Sequence, residues 1–583
     1  MLVSGAIFPI AAFLAPGVSG IGVDPVDDFC TRWNHQSVVK DGKLYIDGGL
    51  ETFAQRNTEG QIEGAQILGY NTELIEVDLQ SPWDSKHNIS ITAVPKLANP
   101  HADTDPPLVV RGAMFSGLPT DSKIYLYGGT TSYANTSFPG FQEPPSSQYP
   151  LWSYDIPADT WSRYDVTEDA PYRPAGGSYA EAPDLGLAFY LNGFIDNGTS
   201  DDLEHMSNFR RYLDGLVVIN TDSLVVTNVS TTWLRRAPRA KGGMVYVPGV
   251  GPQGMLVDMG GVTKPTSDSS ASKDGTYVTF DEIDFLDVSS IADDSRNATW
   301  FVQRAAGEIP PPRTDFCLVT ASAKDNSSHN IYLYGGKGAR EAYDDVYVLS
   351  IPSFTWKRVY RGDSPRYGHT CHLTGHRQML TVGGMASDEP TSSCDRERAG
   401  VAVFDMTDLE WRSVYSPSAP AYQVPGPIVQ TIGGNADGNA RIIAPPHGFS
   451  TRQIAHFFRE PAGDDVDDDI LEDGALDPRD ISGIVIGSVG AVGLIVGGVF
   501  FWLRHKKRRE SSDADAESAP WTEEKDIACV ESKDFACVGS KDFAYVGAVS
   551  HKDDEPEPQR VHVHEPRALQ EIDANHVRVS TDK

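Results

Sequence analysis

Short apolar runs closed by a glycine pair recur along the chain. The clearest is Asn330-Ile331-Tyr332-Leu333-Tyr334-Gly335-Gly336. Leu44–Gly49, Ile124–Gly129, Met255–Gly261 and Met379–Gly384 follow the same plan, and Ala188–Gly193 is a weaker version with Asn192 in place of the first glycine. Runs of β-branched and aromatic residues of this length, stopped by glycine, predict buried strands. Their return at tens of residues predicts a repeat architecture in which no unit buries a core alone.

Around these runs the same order of signals returns six times between Asp24 and Phe458. An arginine, usually beside proline, opens a first strand. The glycine-ended strand follows, then a variable loop and a third strand ending in an acidic or small residue, and a tryptophan marks the fourth strand. In unit two the signals are Arg111, Gly128-Gly129, Asp155 and Trp161. Unit five has Arg313, Gly335-Gly336, Ser350 and Trp356, and unit six has Arg366, Gly383-Gly384, Asp405 and Trp411. Units three and four carry Trp233 and Trp300 thirteen positions after Asn220 and Asp287, which predicts longer last hairpins. Unit one has Trp33-Asn34-His35 where the others have arginine, then Gly48-Gly49, Asp78 and Trp83.

This ordered set resembles the kelch repeat, over about 430 residues. The resemblance implies an all-β fold, a six-bladed kelch-type β-propeller of four-stranded blades. It also implies glycine pairs where backbones approach closely and tryptophans packed between blades. Seven blades are the alternative, because Gly433-Gly434 forms a seventh pair. No aromatic-Asp step or tryptophan follows it, so the segment reads as a packed C-terminal extension.

Two apolar segments lie outside the repeats. Residues 1–20 lack a basic start, but the run Ala6–Ala15 followed by Val18-Ser19-Gly20 predicts a signal peptide cleaved near Gly20. A retained anchor is the other reading, against which Pro9 and Pro16 interrupt the run. Residues 481–503 carry no charge and are long enough for a transmembrane helix, and the basic cluster Arg504–Arg509 would stay in the cytosol. The expected layout is a single-pass type I protein of the plasma membrane. Its parts are an ectodomain over 24–458, an acidic stalk over 459–480, the helix, and a disordered cytoplasmic tail over 504–583. The stalk carboxylates lack the central glycine and closing glutamate of a calcium loop. N-glycosylation sequons begin at Asn88, Asn135, Asn197, Asn228, Asn297 and Asn326, and none lies in the tail. Cys30, Cys317, Cys371 and Cys394 fall in the ectodomain, where two disulfides with three open connectivities are expected. Cys529 and Cys537 would sit reduced in the cytosol.

The net charge of −32 argues against nucleic acid as a partner, since phosphate binding depends on Lys and Arg. No Gly-x-Ser-x-Gly, His-Glu-x-x-His or phosphate-loop motif occurs. Copper-radical oxidases such as galactose oxidase also carry kelch-type blades and are the enzymatic alternative. Here the best local candidate for a metal is Gly368-His369-Thr370-Cys371-His372. Strand alternation puts His369 and Cys371 on one face and His372 on the other. That falls short of the two histidines and two tyrosines on one metal that the resemblance to those oxidases would require. No catalytic residue, metal or cofactor is therefore expected.

Arg173, Arg239, Arg313 and Arg366 have two readings near the channel mouth. They grip an acidic peptide, or each pairs with a carboxylate or carbonyl of the neighbouring blade, which their repetition favours. In the membrane segment Gly483, Gly487, Gly490, Ala491, Gly493 and Gly497 offer a homodimer contact. Tail octads beginning at Lys525, Lys533 and Lys541 offer a multivalent site for a cytosolic partner. The layout resembles the single-pass kelch-repeat surface proteins of filamentous fungi, a family that implies architecture and no particular activity. The expected function is non-catalytic recognition of a protein or glycan at the cell surface through propeller loops. A structural wall or polarity component acting through its tail is a further alternative.

Overall fold

The glycine-ended runs become the second strands of six sheets, each with four antiparallel strands, the fifth extended by a short parallel strand, Ala306–Gly307. Sheet one is Gln36–Lys40, Lys43–Asp47, Glu73–Asp78 and Ile91–Pro95; sheet two is Val110–Phe115, Lys123–Thr130, Leu151–Asp155 and Thr160–Tyr164. Sheet three is Ser178–Ala182, Leu187–Leu191, Leu216–Asn220 and Val226–Val229; sheet four is Gly243–Val247, Met255–Met259, Glu282–Asp287 and Trp300–Arg304. Sheet five is Cys317–Ser322, His329–Tyr334, Asp345–Ile351 and Thr355–Arg361; sheet six is Thr370–Thr374, Gln378–Val382, Val401–Asp405 and Glu410–Arg412. This computed structural model describes residues 24–458 apart from 55–66, 97–104, 133–148, 167, 169, 171, 200–209, 268–274, 292–297 and 390–393. The expected signal peptide, stalk, membrane helix and tail lie outside the described residues. No helix among the described residues is long and apolar enough to cross a membrane.

The first strands of successive sheets touch in chain order, and that of sheet six touches that of sheet one. An apolar core fills each gap between neighbours, as where Leu44 and Ile46 of sheet one meet Leu380 and Val403 of sheet six. This is a β-propeller: each sheet buries both faces against its neighbours, so the strands read as continuous apolar runs instead of alternating.

Two circles of backbone hydrogen bonds hold the sheets together. In the outer one, the second residue of each doublet donates its N–H to the opening residue of the next unit. Gly49 reaches Val109, Gly129 Pro174, Gly193 Arg239, Gly261 Arg313, Gly336 Arg366, and Gly384 closes the circle onto Arg32. That approach explains the glycines. Gly335 has φ +64°, and a Cβ there would stand 2.4 Å from the Arg366 carbonyl oxygen. Asn192 replaces the first glycine of unit three because asparagine tolerates its φ of 55°.

The inner circle lies two residues further on. Arg111 N–H donates to Asn34, Gly176 to Arg111, Lys241 to Gly176, Asp315 to Lys241, Gly368 to Asp315, and Asn34 to Gly368. All six residues have positive φ, from 54° to 68°.

Several expectations need correction. Trp83 is not in the fourth strand of sheet one, which is Ile91–Pro95; it pairs with Tyr415 beside sheet six, the rings stacked at 5.0 Å. Trp233 does not end a long hairpin. Val226 follows Asn220 at the short spacing and pairs with Ile219, leaving Trp233 beyond the strand and 73% exposed. Trp161, Trp300 and Trp356 do occupy fourth strands and pack between adjacent sheets. The extension around Gly433-Gly434 is helical. Helix α1 (Gly426–Ile432) ends at Gly433 and buries Ile428 and Ile432 between sheets five and six. Helix α2 (Arg452–Phe457) seats Ile454 between sheets four and five, with Phe449, Phe457 and Phe458 around it.

Candidate functional site

A cavity of about 520 Å³ runs through the centre, walled by the first strands of all six sheets. At one end it is crossed by the inner circle, where the Arg111 guanidinium Nη1 hydrogen-bonds the Asp315 carboxylate. These residues belong to units two and five, on opposite sides of the circle. Burial alone would raise the Asp315 pKa, but Arg111 and Lys241 outweigh it and hold the group at about 2. Pro183, Tyr246 and the exposed Leu373 line the other end.

The wall holds one unusual acid and a cluster of imidazoles. Burial pushes Glu181 up to about 7, although its carboxylate accepts hydrogen bonds from the N–H and hydroxyl of Ser116. Where sheets six and one meet, Ser37 Oγ lies 2.7 Å from His372 Nε2, and Thr370 Oγ1 bridges Ser37 to His35 Nε2 at 3.0 Å. Burial lowers all three neighbouring histidines: His35 well below its usual value, His372 to about 4 and His369 to about 3. They are neutral at physiological pH, so the stretch of wall where sheets six and one meet is polar but uncharged, with hydroxyl and imidazole groups.

The repeated arginines do not line a mouth. Arg239 pairs with Asp258 at 2.7 Å and with Asp284, and Arg313 donates to Asp345 and the Gly335 carbonyl. Arg366 makes a bidentate pair with Asp395 at 2.7 and 2.8 Å, and Arg173 donates to the Gly198 carbonyl at 2.6 Å. Each of these partners belongs to the arginine's own unit, not to the neighbouring blade as expected. The guanidinium folds back to tie the opening residue to its own sheet. Unit one does have such an arginine: Arg32 pairs with Glu51. Arg111 is not one of the set, because the equivalent place in unit two is Val109. A shared spacing, Arg-x-X with X in the inner circle (Arg32/Asn34, Arg239/Lys241, Arg313/Asp315, Arg366/Gly368), was the signal that would have found Arg32.

The four cysteines among the described residues pair as Cys30–Cys394 and Cys317–Cys371. The first ties the chain before sheet one to unit six; the second joins the inner strands of sheets five and six in the channel wall. His369 and Cys371 lie together as alternation predicts. His372 also faces the channel, which is walled by strand edges and so exposes residues of both faces. Among the sequon asparagines, Asn88 and Asn326 are exposed and Asn197 and Asn228 half-buried; Asn135 and Asn297 lie outside the described residues. So do Cys529, Cys537, the octads and the glycines of 481–503.

Residues 274–428 match the KLHDC2/KLHL20/DRC7 Kelch-repeats domain family. A Kelch repeat-containing protein of Arthroderma benhamiae is 27% identical over 556 residues, covering 82% of this chain and 75% of that protein. Shorter matches include the Rab9 effector protein with kelch motifs of Mus musculus, 29% identical over 23% of this chain and 35% of that protein. Host cell factor of Drosophila melanogaster is 30% identical over 21% of this chain and 8% of that protein. The solved structure of YjhT aligns at a TM-score of 0.41 and 13% identity, over 66% of this chain and 98% of that one, a likeness too low to carry an argument. The glycine doublets bridging unit to unit and the tryptophans between sheets agree with the sequence matches: the fold is a β-propeller, and the chain is similar to kelch-repeat proteins.

Proposed function

We propose that this is a membrane-anchored, non-catalytic recognition protein of the cell surface, whose six sheets are the blades of one extracellular propeller. The observation that carries the reading is the pair of disulfides. Bonds joining residues 364 and 54 positions apart belong to an oxidising compartment, outside the cytosol. The uncharged segment 481–503 and the basic cluster after it supply the anchor and its orientation. On this reading the exposed Asn88 and Asn326 are the most accessible glycan acceptors.

The partner is a protein or glycan bound by loops between the doublets and the third strands, which differ in length and sequence from unit to unit. The internal use of Arg239, Arg313 and Arg366 supports this, because it removes the one repeated polar set that would have gripped a ligand. A kelch-repeat relative described as a Rab9 effector favours a protein partner. Topology is tested on intact cells expressing the full chain with a tag at each end. External protease should remove an N-terminal tag placed after Gly20 and spare the C-terminal one, and endoglycosidase should shift the band. Protection of the N-terminal tag overturns the proposal. Replacing residues 133–148, which lie between the doublet and the third strand of unit two, with a short glycine-serine link should abolish partner binding while leaving the unfolding midpoint within a few degrees.

A further inference from the structure

We infer that Cys317, His369 and Cys371 form a site for a single d10 metal ion, Zn²⁺ or Cu⁺, once their disulfide is reduced. Cys317 Sγ, Cys371 Sγ and a ring nitrogen of His369 all lie within 4.8 Å of one another in the channel wall. Two thiolates and an imidazole are the soft and borderline donors these ions select. Bond lengths of about 2.3 Å to sulfur and 2.0–2.1 Å to nitrogen put tetrahedral ligand atoms about 3.6–3.8 Å apart. The three groups reach that spacing by side-chain rotation once the sulfur–sulfur bond is gone.

The independent observation is His369. It is 5% exposed, yet neither of its ring nitrogens has a hydrogen-bond partner. The Tyr334 backbone is near enough to favour a proton on the ring, but no hydrogen bond of acceptable geometry forms. A buried imidazole without a partner is costly unless something else engages it. A metal ion would do so, and its fourth position would face the channel.

The chemistry balances with a dithiol as reductant. Its thiolate attacks one sulfur of the Cys317–Cys371 bond and releases the other, and a second exchange leaves two cysteine thiols and an oxidised dithiol. Binding of Zn²⁺ then displaces both thiol protons. The channel gives a small reductant and the ion access to the half-buried Cys371. The inference does not depend on the recognition role proposed above.

The test uses the full chain with Cys529→Ser and Cys537→Ser, so that no tail thiol competes. Zn²⁺ is titrated before and after anaerobic reduction with dithiothreitol, and Cd²⁺ is used to read the thiolate charge-transfer band. The reduced protein should bind one more equivalent than a version that also carries Cys317→Ser and Cys371→Ser, which retains the Cys30–Cys394 pair. His369→Ala should weaken binding at least tenfold, and His372→Ala should leave it unchanged. Circular dichroism of each oxidised variant checks that it is folded. Equal stoichiometry without Cys317 and Cys371, unchanged affinity in His369→Ala, or a reduced chain that unfolds in saturating Zn²⁺ would each overturn the inference.

Discussion

Arg111 and Asp315 are 204 residues apart in sequence and three units apart around the propeller, yet they touch across its axis. The contact depends on the inner circle. Arg111 at φ 61° and Asp315 at φ 57° direct their side chains toward the axis, and their backbones are held by the same hydrogen-bonded ring. The pair therefore links two sheets that share no core.

Breaking this pair should weaken the whole propeller. Arg111→Met and Asp315→Asn are each expected to cost about 2–4 kcal/mol, since each strands a largely buried charge or its partner. The double variant should lose clearly less than the sum. Urea unfolding of the four proteins gives the coupling, and strict additivity would show that the contact contributes nothing.

The doublets predict a contrast between two glycines. Gly335→Ala forces a Cβ onto the Arg366 carbonyl oxygen at positive φ and should cost more than about 2 kcal/mol. Gly426→Ala, at the start of α1 with nothing within 4 Å, should be neutral or stabilising by up to about 1 kcal/mol. Denaturant midpoints at constant m-value decide between them.

Glu181 makes stability fall as pH rises. Its pKa is about 7 in the folded protein against 4.5 ordinarily, so the native state holds a proton that the unfolded chain releases. Its contribution is greatest below pH 4.5, declines through the interval up to about 7 and is flat above. After discounting for partial exposure the change is about 2 kcal/mol. Glu181→Gln should remove that slope when unfolding is measured across the interval, and an unchanged slope would refute the assignment.

Two tryptophans should behave oppositely. Trp356 is 1% exposed, donates its indole N–H to the Phe280 carbonyl and meets Phe280 edge-on, so Trp356→Ala should cost about 3–5 kcal/mol. Trp233→Ala should change stability by less than about 0.5 kcal/mol. A large loss of partner binding in Trp233→Ala, without loss of stability, would mark that exposed ring as part of a recognition surface.

Much of the scaffold was legible because its constraints act locally. A glycine pair after an apolar run reports a tight backbone approach wherever it occurs. Tryptophan was less dependable. Trp233 and Trp83 were placed by spacing alone, but Val226 fills the short-hairpin place in unit three and Trp83 pairs outside its sheet. The channel was hardly legible. Asn34, Arg111, Gly176, Lys241, Asp315 and Gly368 share a backbone conformation and a hydrogen-bonding role, and no side-chain type marks that.

By itself, the sequence determined the all-β class, the repeating unit, the second strand of each sheet and the disulfide-forming set of four cysteines. These follow from hydrophobic period, glycine placement and composition, each a property of neighbours along the chain. The tertiary structure alone decided that each arginine serves its own sheet, that Cys30 pairs with Cys394 and Cys317 with Cys371, and that Glu181 lies beside Ser116 in the channel. Those relations join residues tens to hundreds of positions apart, and closing the sheets into a circle is what brings them within bonding distance.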